Sequence, residues 1–169
     1  MSFLLGIPYS DIHLRSSRGH APKWSPDSST SEVTTIQLEF RDLSRCTNDN
    51  SFEKAVSAVS RKVHDLPKTQ GLVPIFTNPN TGKFRKGSTI TLGARGDSYY
   101  EYLLKQWVQT GKTENYLRDD FVDSVIGVSK REHFFIRCLQ SENQNDLETY
   151  LMNIEIKCLI IFVDDKLDG

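Results

Sequence analysis

Cysteine is scarce: Cys46, Cys138 and Cys158 are the only three in 169 residues. Odd in number and widely scattered, they supply neither a disulfide framework nor the paired spacing of a zinc site. An excess of one charge is also lacking, since 21 basic residues face 22 acidic ones for a formal net charge of -1. Proteins that grip nucleic acid through its phosphates carry a basic patch or stripe, and none offsets the balanced total here. Long hydrophobic runs are missing too. The opening "MSFLLGIPYSD" holds a brief apolar run before its proline, so no secretory signal or anchor is expected from it. The run "CLIIFV" at 158–163 is far shorter than the roughly 20 residues a membrane-spanning helix needs. No Asn-x-Ser/Thr sequon occurs. His13, His20, His64 and His133 lack metal-ligand spacing and read as surface or loop residues.

What remains is 37% hydrophobic and 25% charged, the balance of a globular chain long enough for one domain with a core. Residues 1–27, rich in Pro, Ser, His and Arg, read as irregular. Ser29 with Glu32 three positions on forms a capping box, opening a helix with Val33, Ile36, Phe40 and Leu43 on one face. "NSFEKAVSAVSRKVHDL" predicts a second helix, with Phe52, Ala55, Val56, Val59, Val63 and Leu66 as its apolar stripe and Pro67 as its stop. Turn formers from Asn78 to Gly82 between short apolar stretches predict a hairpin, and "STITLGA" a further short strand. Ser98 and Glu101 suggest another capping box. The helix it opens has a face of Tyr100, Leu103, Leu104, Trp107 and Val108, and Gly111 ends it. "TENYLRDDFVDSVIGV" predicts one more helix, with Leu117, Phe121, Val125 and Val128 inward.

Several of these blocks, in this order and spacing, closely resemble glycoside hydrolase family 47, the class I α-1,2-mannosidases: "GIPYSDIHL", "HAPKW", "SSTSEVTTIQLEFRDLS", "GLVPIFTNPNTG" and "TLGARGDSYYEYLLKQWVQTGK". The resemblance runs from about Gly6 to Lys130. It implies a mainly α fold, part of an (α/α)7 barrel of paired antiparallel helices with a short β-hairpin. Residues 1–130 would be a partial catalytic domain and 131–169 a divergent tail. It also implies a calcium cofactor, whose ligating threonine would lie outside this chain, and a membrane anchor upstream. The implied partner is a high-mannose N-glycan on glycoproteins, and the implied compartment is the endoplasmic reticulum. An arginine two residues before the aspartate resembles the endoplasmic reticulum subtype, which removes one particular mannose.

Carried onto this sequence, the resemblance implies Asp97 as the catalytic acid/base candidate, with Arg95 and Glu32 as substrate-binding residues. Inverting glycosidases need one carboxylic acid to protonate the leaving oxygen and one carboxylate to activate water, usually about 6.5–9.5 Å apart. A guanidinium fork suits neighbouring sugar hydroxyls. Local spacing offers a plainer alternative, in which Asp97 and Glu32 only cap helices. A helix start and a neighbouring arginine both favour a charged carboxylate, which suits water activation or positioning better than proton donation. Whether Asp97 is acid, base or positioning group stays open. Trp24, Tyr99 and Trp107 are candidates for stacking on sugars, although Tyr99 and Trp107 fit core packing better. Arg95-Gly96-Asp97 as an adhesion ligand would need an exposed flexible loop.

The implied proton-donor glutamate lies upstream of the matched blocks, and the implied base glutamate downstream. The expectation is therefore a mannosidase by lineage, inactive as written. The alternatives are a non-catalytic mannose-glycan-binding quality-control factor and a non-functional truncated product.

Overall fold

A computed structural model describes residues 6–23 and 25–139, with side chains as far as Val128. Trp24 and the run 158–163 lie outside the described residues. Two elements appear where irregular chain was expected. Strands β1 (Asp11–His13) and β2 (Arg18–His20) pair antiparallel with Ile12 opposite Gly19. Their residues are almost all exposed, so no apolar alternation announces them. Next come β3 (Ser28–Ser29) and helix α1 (Thr30–Thr34).

The single helix expected after Ser29 is in fact two. Thr34 donates its hydroxyl to the Thr30 carbonyl (2.8 Å) and Thr35 to that of Ser31 (2.7 Å). Such back-bonds, within the β-branched run Val33 to Ile36, compete with continued helical pairing. Helix α2 (Gln37–Thr47) restarts after the break and turns an unexpected face inward. Leu43 is 39% exposed, whereas Gln37, Arg41 and Ser44 are buried. Arg41 donates to Gln106 Oε1 (3.0 Å), which also accepts from Ser60 (2.9 Å). Buried polar groups persist where hydrogen bonds replace the lost water, and burial still pushes the Arg41 guanidinium below its ordinary value. Phe40, half-buried, meets Phe52 edge to face at 6.1 Å.

Helix α3 (Ser51–His64) follows the expected stripe, burying Val56, Val59 and Val63. Each such valine contributes about 1.5–3 kcal/mol on leaving water. The hairpin also forms as expected, from β4 (Phe76–Asn78) and β5 (Lys83–Phe84), with Thr77 opposite Phe84. β3 adds to its other edge, placing Ser29 opposite Phe76. "STITLGA" is not a strand; it runs beside β4 with one bond, from the Ile75 amide to the Thr89 carbonyl (3.0 Å).

Helices α4 (Asp97–Gln109) and α5 (Asn115–Leu139) pack on each other, as α2 and α3 do. Val33, Val59, Val63, Leu103, Trp107, Leu117 and Phe121 meet between them in one core. Behind the first turn of α4, the buried carboxylate of Asp120 gathers His64 Nδ1 (3.1 Å), Lys68 Nζ (3.3 Å) and the Tyr99 hydroxyl (3.4 Å). α3, its following segment, α4 and α5 are tied at that point.

Candidate active site

Glu32 stands on the third residue of α1. Ser29 caps that helix, accepting a long bond from the Glu32 amide (3.4 Å), so half of the expected capping box exists. The other half does not. Glu32 is exposed, and its Oε2 accepts from the Ser10 hydroxyl (2.8 Å), which turns the carboxylate toward the segment entering β1. A capping role alone therefore leaves its side-chain position unexplained.

At α4 the expected Ser98–Glu101 box is absent. The helix opens two residues earlier, with Gly96 as its cap residue and no side-chain cap bond. Glu101 instead pairs with Lys105 one turn on. Asp97 occupies the first helical position, and its Oδ1 accepts from the Ser98 amide (2.8 Å), the Ser98 hydroxyl (3.3 Å) and the Ser31 hydroxyl (3.3 Å). All three donors converge on that one oxygen. The turn before it is tight: the Gly93 carbonyl accepts from both the Gly96 and Asp97 amides (3.1 Å each). Gly96 is buried there, and a Cβ on it would lie 2.6 Å from the Thr91 carbonyl oxygen. The Arg95-Gly96-Asp97 tripeptide is thus part of a packed helix start, unlike a flexible adhesion loop.

Arg95 itself is exposed, with φ at +71°, in the left-handed region that a non-glycine residue enters at a cost of about 1–3 kcal/mol. Its carbonyl accepts from the Ser31 amide (3.0 Å), and its guanidinium carbon lies 5.7 Å from the centre of the Phe76 ring. Ser31 therefore touches both Arg95 and Asp97, while Glu32 is its neighbour in the chain. All three candidates come to one corner, where the starts of α1 and α4 meet β4. Tyr99 and Tyr100 anchor this corner from behind, 2% and 3% exposed with ring centres 5.1 Å apart. With Trp107 at 8% they belong to the core.

Ser10, Ser31 and Phe76 are the contacts that pattern reading missed. No periodic or turn signal marks them, because their partners lie 22, 66 and 19 positions away along the chain. Among the described residues no group of three or more His, Cys, Asp or Glu could hold a metal ion. No described helix is long and apolar enough to cross a membrane.

The geometry defines a protein of paired helices, α2 with α3 and α4 with α5, in which Ser31 bridges the helix starts that bear Glu32 and Asp97. The sequence matches the family described as "Glycosyl hydrolase family 47" over residues 3–157, and the chain belongs to that family. It is 52% identical over 123 residues to the "Endoplasmic reticulum mannosyl-oligosaccharide 1,2-alpha-mannosidase" of Homo sapiens, covering 72% of this chain and 18% of that protein. The protein of the same name from Saccharomyces cerevisiae is 46% identical over 137 residues, covering 77% of this chain and 24% of the relative. These similarities support the endoplasmic reticulum subtype. An "alpha-1,2-mannosidase from Trichoderma reesei" shares the fold, with a TM-score of 0.61 at 19% identity over 76% of this chain and 26% of that one. The chain spans about a fifth to a quarter of the length of these relatives.

Proposed function

We infer that this chain carries part of the machinery for hydrolysing terminal α-1,2-linked mannose from high-mannose N-glycans in the endoplasmic reticulum. Its paired helices would form one sector of an (α/α)7 barrel. The observation that carries the reading is the joint contact of Ser31 with Arg95 and Asp97 beside Glu32. Arg95 would offer its planar fork to adjacent sugar hydroxyls. Glu32 would accept from a hydroxyl or an ordered water. Asp97, with Oδ1 held by Ser31 and Ser98, would present Oδ2 toward the reacting centre to orient or activate water.

An inverting displacement needs an acid and a base on opposite faces of the sugar. Asp97 and Glu32 stand on adjacent helix starts, and a chain spanning about a fifth of its human relative would enclose only part of a pocket. By itself the 169-residue chain is expected not to release mannose from a high-mannose glycan, with or without calcium. Release above that of an Asp97→Asn control would overturn this. Calorimetric titration with the same glycan separates the neighbouring readings. Binding without turnover supports a glycan-recognition role, and no binding supports a truncated product.

A further inference from the structure

Phe76 touches the candidate site; it lies in the matched block "GLVPIFTNPNTG", where the resemblance gave it no role. Its ring carries Arg95 at 5.7 Å and Arg85 at 5.9 Å. Arg85 is also drawn to the buried carboxylate of Asp27 at 3.4 Å, and Asp27 accepts from Asn78 at 2.7 Å. The ring's place is set firmly from the backbone side. Phe76 lies opposite Ser29, the cap of the helix bearing Glu32, and its carbonyl accepts from the Arg85 amide (2.9 Å). The preceding residue, Ile75, accepts from the Thr30 amide (3.0 Å), and its Cγ2 lies 3.3 Å from where a Cβ on Gly96 would be. The start of β4 is thus wedged between α1 and the turn that carries Arg95.

We propose that Phe76 is a positioning residue for Arg95: its ring face holds the guanidinium in the orientation in which it meets the glycan. The physical basis is twofold. An arginine side chain has several rotatable bonds, and an unrestrained one loses roughly 2 kcal/mol of rotamer entropy when a ligand fixes it. A cation over an aromatic face is attracted to the ring's negative quadrupole, so part of that ordering occurs before any sugar arrives. The left-handed backbone at Arg95 serves the same end, because it sets the direction in which the side chain leaves the turn. This proposal rests on the reading that Arg95 contacts the glycan, and its test separates the two.

The first measurement needs no ligand. In the NMR spectrum of the free chain, the Arg95 Hδ and Hε protons should be shifted upfield by the ring, relative to those of Arg118, which pairs with Asp119 (2.7 Å). In Phe76→Leu they should move to the Arg118 range, while Phe76→Tyr, which keeps the ring, should retain the shift. Arg61, over the Tyr116 ring at 5.0 Å, reports that the rest of the fold is intact. The second measurement is glycan affinity. Phe76→Leu should weaken it about tenfold (about 1.4 kcal/mol). Phe76→Tyr should stay near wild type, and Phe76→Leu combined with Arg95→Ala should be no weaker than Arg95→Ala alone. Arg95 protons unchanged by Phe76→Leu, or additive losses in the double variant, overturn the proposal. If the wild-type chain binds no glycan, its glycan-recognition reading fails, and the proton shifts alone decide whether Phe76 holds Arg95.

Discussion

Tyr99 stands two residues beyond Asp97 with its ring in the core and its hydroxyl toward Asp120. Burial, and then the charge of Asp120, push its phenol well above the ordinary value, so the folded chain keeps this proton at a pH where the unfolded chain has lost it. The sign follows directly. Stability from Tyr99 is full below about pH 10, where unfolded tyrosine ionises, and is lost as pH rises through the raised value in the folded state. Tyr116, half-buried and raised chiefly by burial, acts in the same direction. Tyr99→Phe should therefore flatten the alkaline limb, with its urea midpoint falling less than wild type between about pH 9 and about pH 11. Equal falls would mean that Tyr99 ionises as an ordinary tyrosine. The inward place of Tyr99 was readable from its aromatic helix. The partner that raises its phenol was not, because Asp120 sits in a stretch whose periodicity says only that Leu117 and Phe121 point inward.

The loop after α3 presses closely on α5. A Cβ at Gly127 would lie 1.9 Å from the Gln70 carbonyl oxygen and 3.4 Å from Leu72 Cγ. Gly71 meets the same helix, with φ at +75° and its own would-be Cβ 2.4 Å from the Asp123 carbonyl. Gly127→Ala should therefore cost about 3 kcal/mol, the upper part of the usual overpacking range. For a chain of this size that is a fall in melting temperature of roughly 6–12 °C, measurable by circular dichroism. Gly111→Ala is the control: nothing lies within 4 Å, so only the left-handed backbone at φ +66° is penalised, by about 1 kcal/mol. A fall at Gly127 no larger than at Gly111 would refute the close approach. The two glycines are not equally legible. Gly111 follows a helix and reads as its stop, whereas Gly127 lies inside one, where only the incoming loop explains it. The same limit hid the split of α1 from α2 and the inward turn of Gln37, Arg41 and Ser44, which side-chain hydrogen bonds rather than apolar spacing decide.

For the molecule as a whole, family membership raises the matter of calcium, and among the described residues no three or more His, Cys, Asp or Glu gather to hold a metal ion. Calcium is therefore expected to leave the melting temperature of this chain unchanged. A site filled at about 100 times its Kd would add about 2.7 kcal/mol, so a calcium-dependent rise of several degrees would reveal a site within it. The sequence by itself determined the helical class, the stripe of α3, the hairpin turn around Asn78 to Gly82, the stop at Gly111 and the family. These rest on periodicity, turn chemistry and blocks of residues in register, all of which act between near neighbours in the chain. Tertiary structure alone decided that Glu32 turns to Ser10, that Ser31 holds Asp97 and touches Arg95, and that Arg95 lies over Phe76. Each of those contacts joins residues far apart in sequence, so its formation depends on how separately formed elements pack, which no local pattern encodes.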